Sequence, residues 1–162
     1  MVENPSHQPL VGFERALAAV MRLWTGRETL ADIARRSGYD LPPTSWALLE
    51  HLDARGALRV SDIAACHGVD VSSITPRLKA LEKAGLITRE KLSTDARVFI
   101  ISISSSGVRA LQSVHAARRA ILAHVTAEAD GPEIAIASRL LTRVADRLAA
   151  ESDRSAPGTS HR

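Results

Sequence analysis

Arg59-Val60-Ser61-Asp62-Ile63-Ala64-Ala65-Cys66-His67-Gly68-Val69-Asp70-Val71-Ser72-Ser73-Ile74-Thr75-Pro76-Arg77-Leu78-Lys79-Ala80-Leu81 reads as a helix, a sharp turn and a second helix. Ile63 and Ala64 are the inward positions of the first helix, and Gly68 supplies the turn. Ile74, Leu78 and Leu81, spaced four and three apart, bury one side of the second. Ser61 and Ser72 are the expected caps, because a serine hydroxyl can satisfy a free N–H of the first turn. Ser72, Ser73, Thr75, Arg77 and Lys79 are left on a polar, partly cationic face. This is the helix-turn-helix pattern, whose second helix can enter the major groove of DNA.

Beyond this stretch the period changes. Gly85 ends the second helix, and Leu86–Leu92 and Val98–Ser104 then read as β-rich segments around the polar tip Ser93-Thr94-Asp95-Ala96, a hairpin. A hairpin placed there makes a winged helix. Upstream, Leu10, Phe13, Leu17, Val20 or Met21, and Trp24 give an amphipathic helix. A short helix over Glu28–Arg36 ends at Ser37-Gly38, where glycine accepts the left-handed cap. Leu41-Pro42-Pro43-Thr44 starts another, with Trp46, Leu48, Leu49 and Leu52 apolar and Gly56 at its end.

Downstream, Ser104-Ser105-Ser106 opens a long helix carrying Val108, Leu111, Val114, Ile121, Leu122 and Val125. Asp130-Gly131-Pro132 breaks it. Ile134, Ala137, Leu141, Val144 and Leu148 then form an a/d-like seam. These seams exceed what a small winged helix must cover, which implies a homodimer built from the terminal helices.

Composition agrees. The 162 residues are 45% hydrophobic but only 3% aromatic, so the core is aliphatic and helix-favouring. A formal charge of +3 suits a polyanionic partner without requiring one. One cysteine excludes an intramolecular disulfide and fits a reducing compartment. No apolar run is long enough to span a membrane, and Met1–Pro9 lacks the pattern of a signal peptide, so a cytoplasmic protein is expected. Residues 1–9 and 152–162, polar or rich in Ser, Pro and Gly, are expected to be disordered.

Three pieces, in order, resemble the MarR family of winged-helix transcriptional regulators. Leu41-Pro42-Pro43-Thr44-Ser45-Trp46-Ala47-Leu48-Leu49 is similar to the start of the family's helix before the motif. Val71-Ser72-Ser73-Ile74-Thr75, followed by Leu81-Glu82-Lys83-Ala84-Gly85-Leu86-Ile87, resembles its recognition helix. Asp95-Ala96-Arg97, then Ile103-Ser104 and Gly107, is similar to its wing and the helix that follows. The likeness runs from about Leu10 to Glu151. It implies DNA contact by Ser72, Ser73, Thr75, Arg77 and Lys79. It also implies that Arg97 reaches the minor groove or its phosphates from the wing, braced by Asp95. Arg89 and Lys91 would be phosphate neighbours at best. Pro76 departs from the pattern, standing where the family usually has Arg. With Ser72 as cap it would be the fourth helical residue, giving a kink rather than a break.

A small-molecule effector is also implied by the resemblance, in a pocket that Trp24, Tyr39 and Trp46 could line, although single aromatics at helical spacing are more often core. Cys66 reads as a small, partly buried residue rather than a redox switch. His51, His67, His115 and His124 lack metal-ligand spacing, so neither metal nor cofactor is expected. No nucleophile–base pair, phosphate-binding Gly loop or paired carboxylates stand out, which argues against an enzyme.

The sequence therefore predicts a mainly α protein with a small β-wing. Residues 10–151 form one domain, with a winged lobe over 41–104 and dimerisation helices over 10–40 and 105–151. The partner is double-stranded DNA at a pseudo-palindromic operator, and the expected role is a repressor relieved by ligand. The competing reading is a winged-helix adaptor that binds protein instead. Such an adaptor would carry acidic or apolar residues in place of Arg77, Lys79 and Arg97.

Overall fold

The computed structural model describes residues 7–92 and 95–155, and side chains over 8–92 and 98–151. The chain runs α1 (His7–Trp24), α2 (Arg27–Ser37), α3 (Pro43–Arg55), β1 (Leu58–Arg59), α4 (Val60–Cys66), α5 (Val71–Lys83), β2 (Ile87–Leu92), β3 (Asp95–Ile103), α6 (Ser105–Val125) and α7 (Gly131–Ser155). It is mainly helical with one small antiparallel sheet, as the sequence predicts. Two compact units are distinguished, Met1–Arg119 and Ala120–Arg162.

In the first unit an aliphatic core positions the helix-turn-helix. Leu48, Leu49 and Leu52 of α3, Ile63 of α4, Ile74 and Leu81 of α5, Ile101 of β3 and Val114 of α6 are all fully buried. Each such side chain contributes about 1.5–3 kcal/mol relative to exposure. Pro43 opens α3 at a position where a missing N–H costs nothing. Gly38, at φ 77°, closes α2 in the left-handed conformation read from the sequence. Across helices, Arg118 of α6 donates to the Glu50 carboxylate of α3 at 2.6 Å, with His115 at 3.1 Å from the same oxygen.

Several boundaries differ from expectation. The sheet has a third strand, β1, giving the order β1-β3-β2 with Leu58 opposite Ile101. β3 begins at Asp95 rather than Val98, so Asp95 and Ala96 belong to a strand and not to the tip. Its register jumps between Lys91, opposite Phe99, and Leu92, opposite Asp95, which places 96–98 in an irregular bulge. α1 starts at His7, inside the region expected to be disordered, because Pro9 falls in the first turn where its missing N–H is no loss. α7 likewise continues to Ser155, past the expected end at Glu151. The remaining expected tails, 1–6 and 156–162, lie outside the described residues.

In the second unit, α7 opens with a capping box. The Asp130 carboxylate accepts the Glu133 N–H at 2.7 Å, and the Glu133 carboxylate accepts the Asp130 N–H at 3.0 Å. Ile134, Ile136, Leu140, Leu141 and Leu148 of this helix are all exposed.

Candidate DNA-binding surface

α5 is held from behind and free in front. Ile74, Leu78 and Leu81 are buried, so the turn per residue of an α-helix fixes the opposite side. That side carries Ser72, Pro76, Lys79 and Lys83, spaced four, three and four, and all four are exposed. Ser73 flanks this stripe and is exposed too. Lys83 is absent from the residues picked out by sequence. Its spacing from Lys79 is the signal that could have found it.

The caps are not the expected serines. Asp70 is the N-cap of α5 and Arg59 that of α4, both extended and neither making a side-chain cap bond. Ser72 and Ser61 are each the second residue of their helices, and the Ser61 hydroxyl donates instead to the Asp62 carboxylate at 3.3 Å. Pro76 is consequently the sixth residue of α5, and the helix continues through it to Lys83. It removes the N–H that would bond the Ser72 carbonyl, a loss of about 3 kcal/mol in a helix interior.

Thr75 and Arg77 lie on the flanks of the exposed stripe. The Thr75 hydroxyl donates to the Val71 carbonyl at 2.6 Å, and both Thr75 and Arg77 are half-buried. Arg77 stands near His67, at the end of α4, whose ring lies 5.4 Å from that of His51 on α3. Burial, then the His51 ring, then the Arg77 charge hold the His67 imidazole below its ordinary value. The Nε2 atoms of both histidines are buried and, among the described residues, have no hydrogen-bond partner. The two rings thus join α3 to the end of α4.

On the wing, the Arg89 guanidinium sits over the Phe99 ring, 3.9 Å from its centroid, with its Nε buried and, among the described residues, unpaired. Arg89 is thus stacked and half-buried, whereas Lys91 is exposed. Arg89 and Phe99 help to line a cleft of about 350 Å³ with Arg59, Ser61, Val71 and Thr75. The Asp95 and Arg97 side chains lie outside the described residues.

The three aromatics behave as core or near-core residues. Trp46 is 3% exposed and meets Tyr39 edge-on at 6.2 Å between centroids, while Trp24 is half-buried. A cleft in that region is lined by Thr25, Arg27, Leu30, Ala31, Ala34 and Asp40 instead. Cys66, expected to be partly buried, is exposed. Helical geometry is the reason: Ile63 and Ala64 take the inward face of α4, and Cys66 falls more than a quarter-turn away. Among the described residues, no group of three or more His, Cys, Asp or Glu could hold a metal ion.

A helix-turn-helix followed by a β-wing, with the second helix free and cationic, defines a winged-helix DNA-binding protein. The MarR family model matches residues 41–99. The chain is 32% identical over 111 residues to the HTH-type transcriptional repressor MdtR of Bacillus subtilis (strain 168), covering 68% of this chain and 70% of that protein. It is also similar in structure to a MarR family protein from Bacillus stearothermophilus, with a TM-score of 0.72, 21% identity, and coverage of 91% of this chain and 99% of that one. A probable transcriptional regulator from Pseudomonas aeruginosa aligns with a TM-score of 0.60 at 28% identity, covering 83% and 96% of the two chains. The chain belongs to the MarR family of winged-helix transcriptional regulators, whose members are not enzymes. Among the described residues no helix is long and apolar enough to cross a membrane.

Proposed function

We propose that this chain is a homodimeric, sequence-specific repressor that reads a pseudo-palindromic operator and is released from it by a small molecule. The exposed stripe Ser72–Pro76–Lys79–Lys83, opposite the buried Ile74–Leu78–Leu81 stripe, carries this reading. A helix so held offers its outer face to a groove without disturbing the core. Two copies related by a two-fold axis would set two such helices in successive major grooves, about 34–36 Å apart. Ser72, Ser73 and Lys79 are placed to meet bases and phosphates. Arg77 and Thr75 approach from the flanks, and Arg97, with Asp95, reaches the backbone from the wing.

The apolar residues of α7 supply the seam for the second copy. An effector is better accommodated in the cleft bounded by Arg59, Thr75, Arg89 and Phe99 than against Trp24, Tyr39 and Trp46, since Trp46 is core. An occupant there would touch the first turn of α5 and shift the balance between DNA-competent and incompetent states. The protein–protein adaptor reading is disfavoured by the two lysines on the outer face.

Selection from randomised duplex DNA, followed by titration of the enriched sequence at several salt concentrations, tests the reading. Enrichment of an inverted repeat with steep salt dependence is expected. Binding that ignores sequence contradicts it.

A further inference from the structure

Among the four side chains at the front of α5, Pro76 alone carries no donor and no acceptor. Ser72, Lys79 and Lys83 offer a hydroxyl and two ammonium groups, which hydrogen-bond to bases or phosphates. Pro76 sits between Ser72 and Lys79 in this stripe and is exposed. Its helix would be more stable with almost any other residue there. The position therefore matters for what it presents outward.

In the major groove, every base edge displays hydrogen-bonding groups, and thymine alone adds an apolar one, its C5-methyl. A pyrrolidine ring pressed against N7, O6, O4 or an amino group would strip that group of water and return no hydrogen bond. Against a methyl it buries apolar surface on both sides and leaves nothing unpaired. We infer that Pro76 is a specificity-determining residue whose ring packs on the C5-methyl of a thymine at one fixed position in each operator half-site. This rests on α5 being the DNA-reading helix, as proposed above.

The experiment uses the full chain and the duplex enriched from randomised DNA. Each thymine is replaced in turn by deoxyuridine, which removes the methyl and leaves the pairing edge unchanged. One symmetry-related thymine per half-site is expected to respond, with binding weakened about fourfold per half-site, the worth of one buried methyl-sized group. Pro76→Gly, which removes the ring from both subunits, should bind the unmodified duplex about fourfold weaker per half-site, about sixteenfold in all, and lose nothing further on that replacement. Pro76→Ala, which keeps one methyl, should fall between the two. Both substitutions raise the helix propensity of α5, so they leave the fold intact. Equal sensitivity of wild type and Pro76→Gly at every thymine overturns the assignment, as does wild-type binding blind to all of them. Failure to enrich any duplex would instead overturn the DNA-reading role of α5 itself, and the assignment with it.

Discussion

Gly107 lies so close to the Leu86 carbonyl that a Cβ added to it would stand 2.1 Å from that oxygen. The same carbonyl accepts the Ser104 N–H at 3.0 Å. The Ser104 hydroxyl donates to the Gly85 carbonyl at 2.7 Å and accepts the Gly107 N–H at 3.0 Å. Four residues thus clamp the end of the recognition helix to the start of α6. In the sequence, Gly107 stood out only by resemblance; the structure supplies its reason, which is close approach of two backbones rather than an unusual φ.

Gly107→Ala should therefore force the Leu86 backbone to move. We expect a loss of about 3 kcal/mol and a thermal midpoint lower by roughly 8 °C. Calorimetry or circular dichroism checks this. A midpoint within a degree of wild type would mean that the contact is looser than described.

The His51–His67–Arg77 group predicts acid sensitivity. His67 is held below its ordinary value, so the unfolded chain takes up a proton first as pH falls through about 6.5. The unfolded state then binds more protons than the folded one, and stability falls with falling pH. The contribution is fully present above that pH and levels off once the folded imidazole also protonates. His67→Gln should flatten the difference between urea midpoints measured at pH 7.5 and 5.5. An unchanged difference would remove His67 as its source.

Lys79→Ala and Lys83→Ala should each weaken DNA binding at all sequences and reduce the slope of log affinity against log salt by about one. Both side chains are exposed, so stability should change little. Arg97→Ala should weaken binding broadly in the same manner, while Arg77→Ala should show a more sequence-dependent loss. Fluorescence anisotropy at several salt concentrations separates these outcomes.

The α7 seam is testable without DNA. Ile134 and Leu141 are exposed and seven residues apart on one helix. The double variant Ile134→Glu, Leu141→Glu should sediment as a monomer where the wild type sediments as a dimer, with its helical content retained. A dimer persisting in the variant would place the interface elsewhere.

The motif was legible because its signals are local. Gly68 and Gly85 mark the ends, and both adopt positive φ. The spacing of Ile74, Leu78 and Leu81 fixed the buried side of α5 in advance. β1 was not legible, since two residues are too few to show a period of two, and the strand exists only by pairing with β3. The N-caps are not legible, because serine is a favourable cap wherever it occurs, while Arg59 and Asp70 are caps by backbone conformation alone. The pairing of the His51 and His67 rings and the stacking of Arg89 on Phe99 join residues from different elements, and no local pattern encodes them. Exposure of Lys83, by contrast, followed from periodicity already in view.

Whether the front of α5 reads specific DNA sites is decided by genome-wide binding of the tagged protein, compared with its Lys79→Ala, Lys83→Ala double variant. The wild type should give a small set of sharp sites sharing an inverted repeat, and these should collapse in the variant at equal protein level. A featureless wild-type map, or sharp sites undiminished in the variant, would contradict that role for α5.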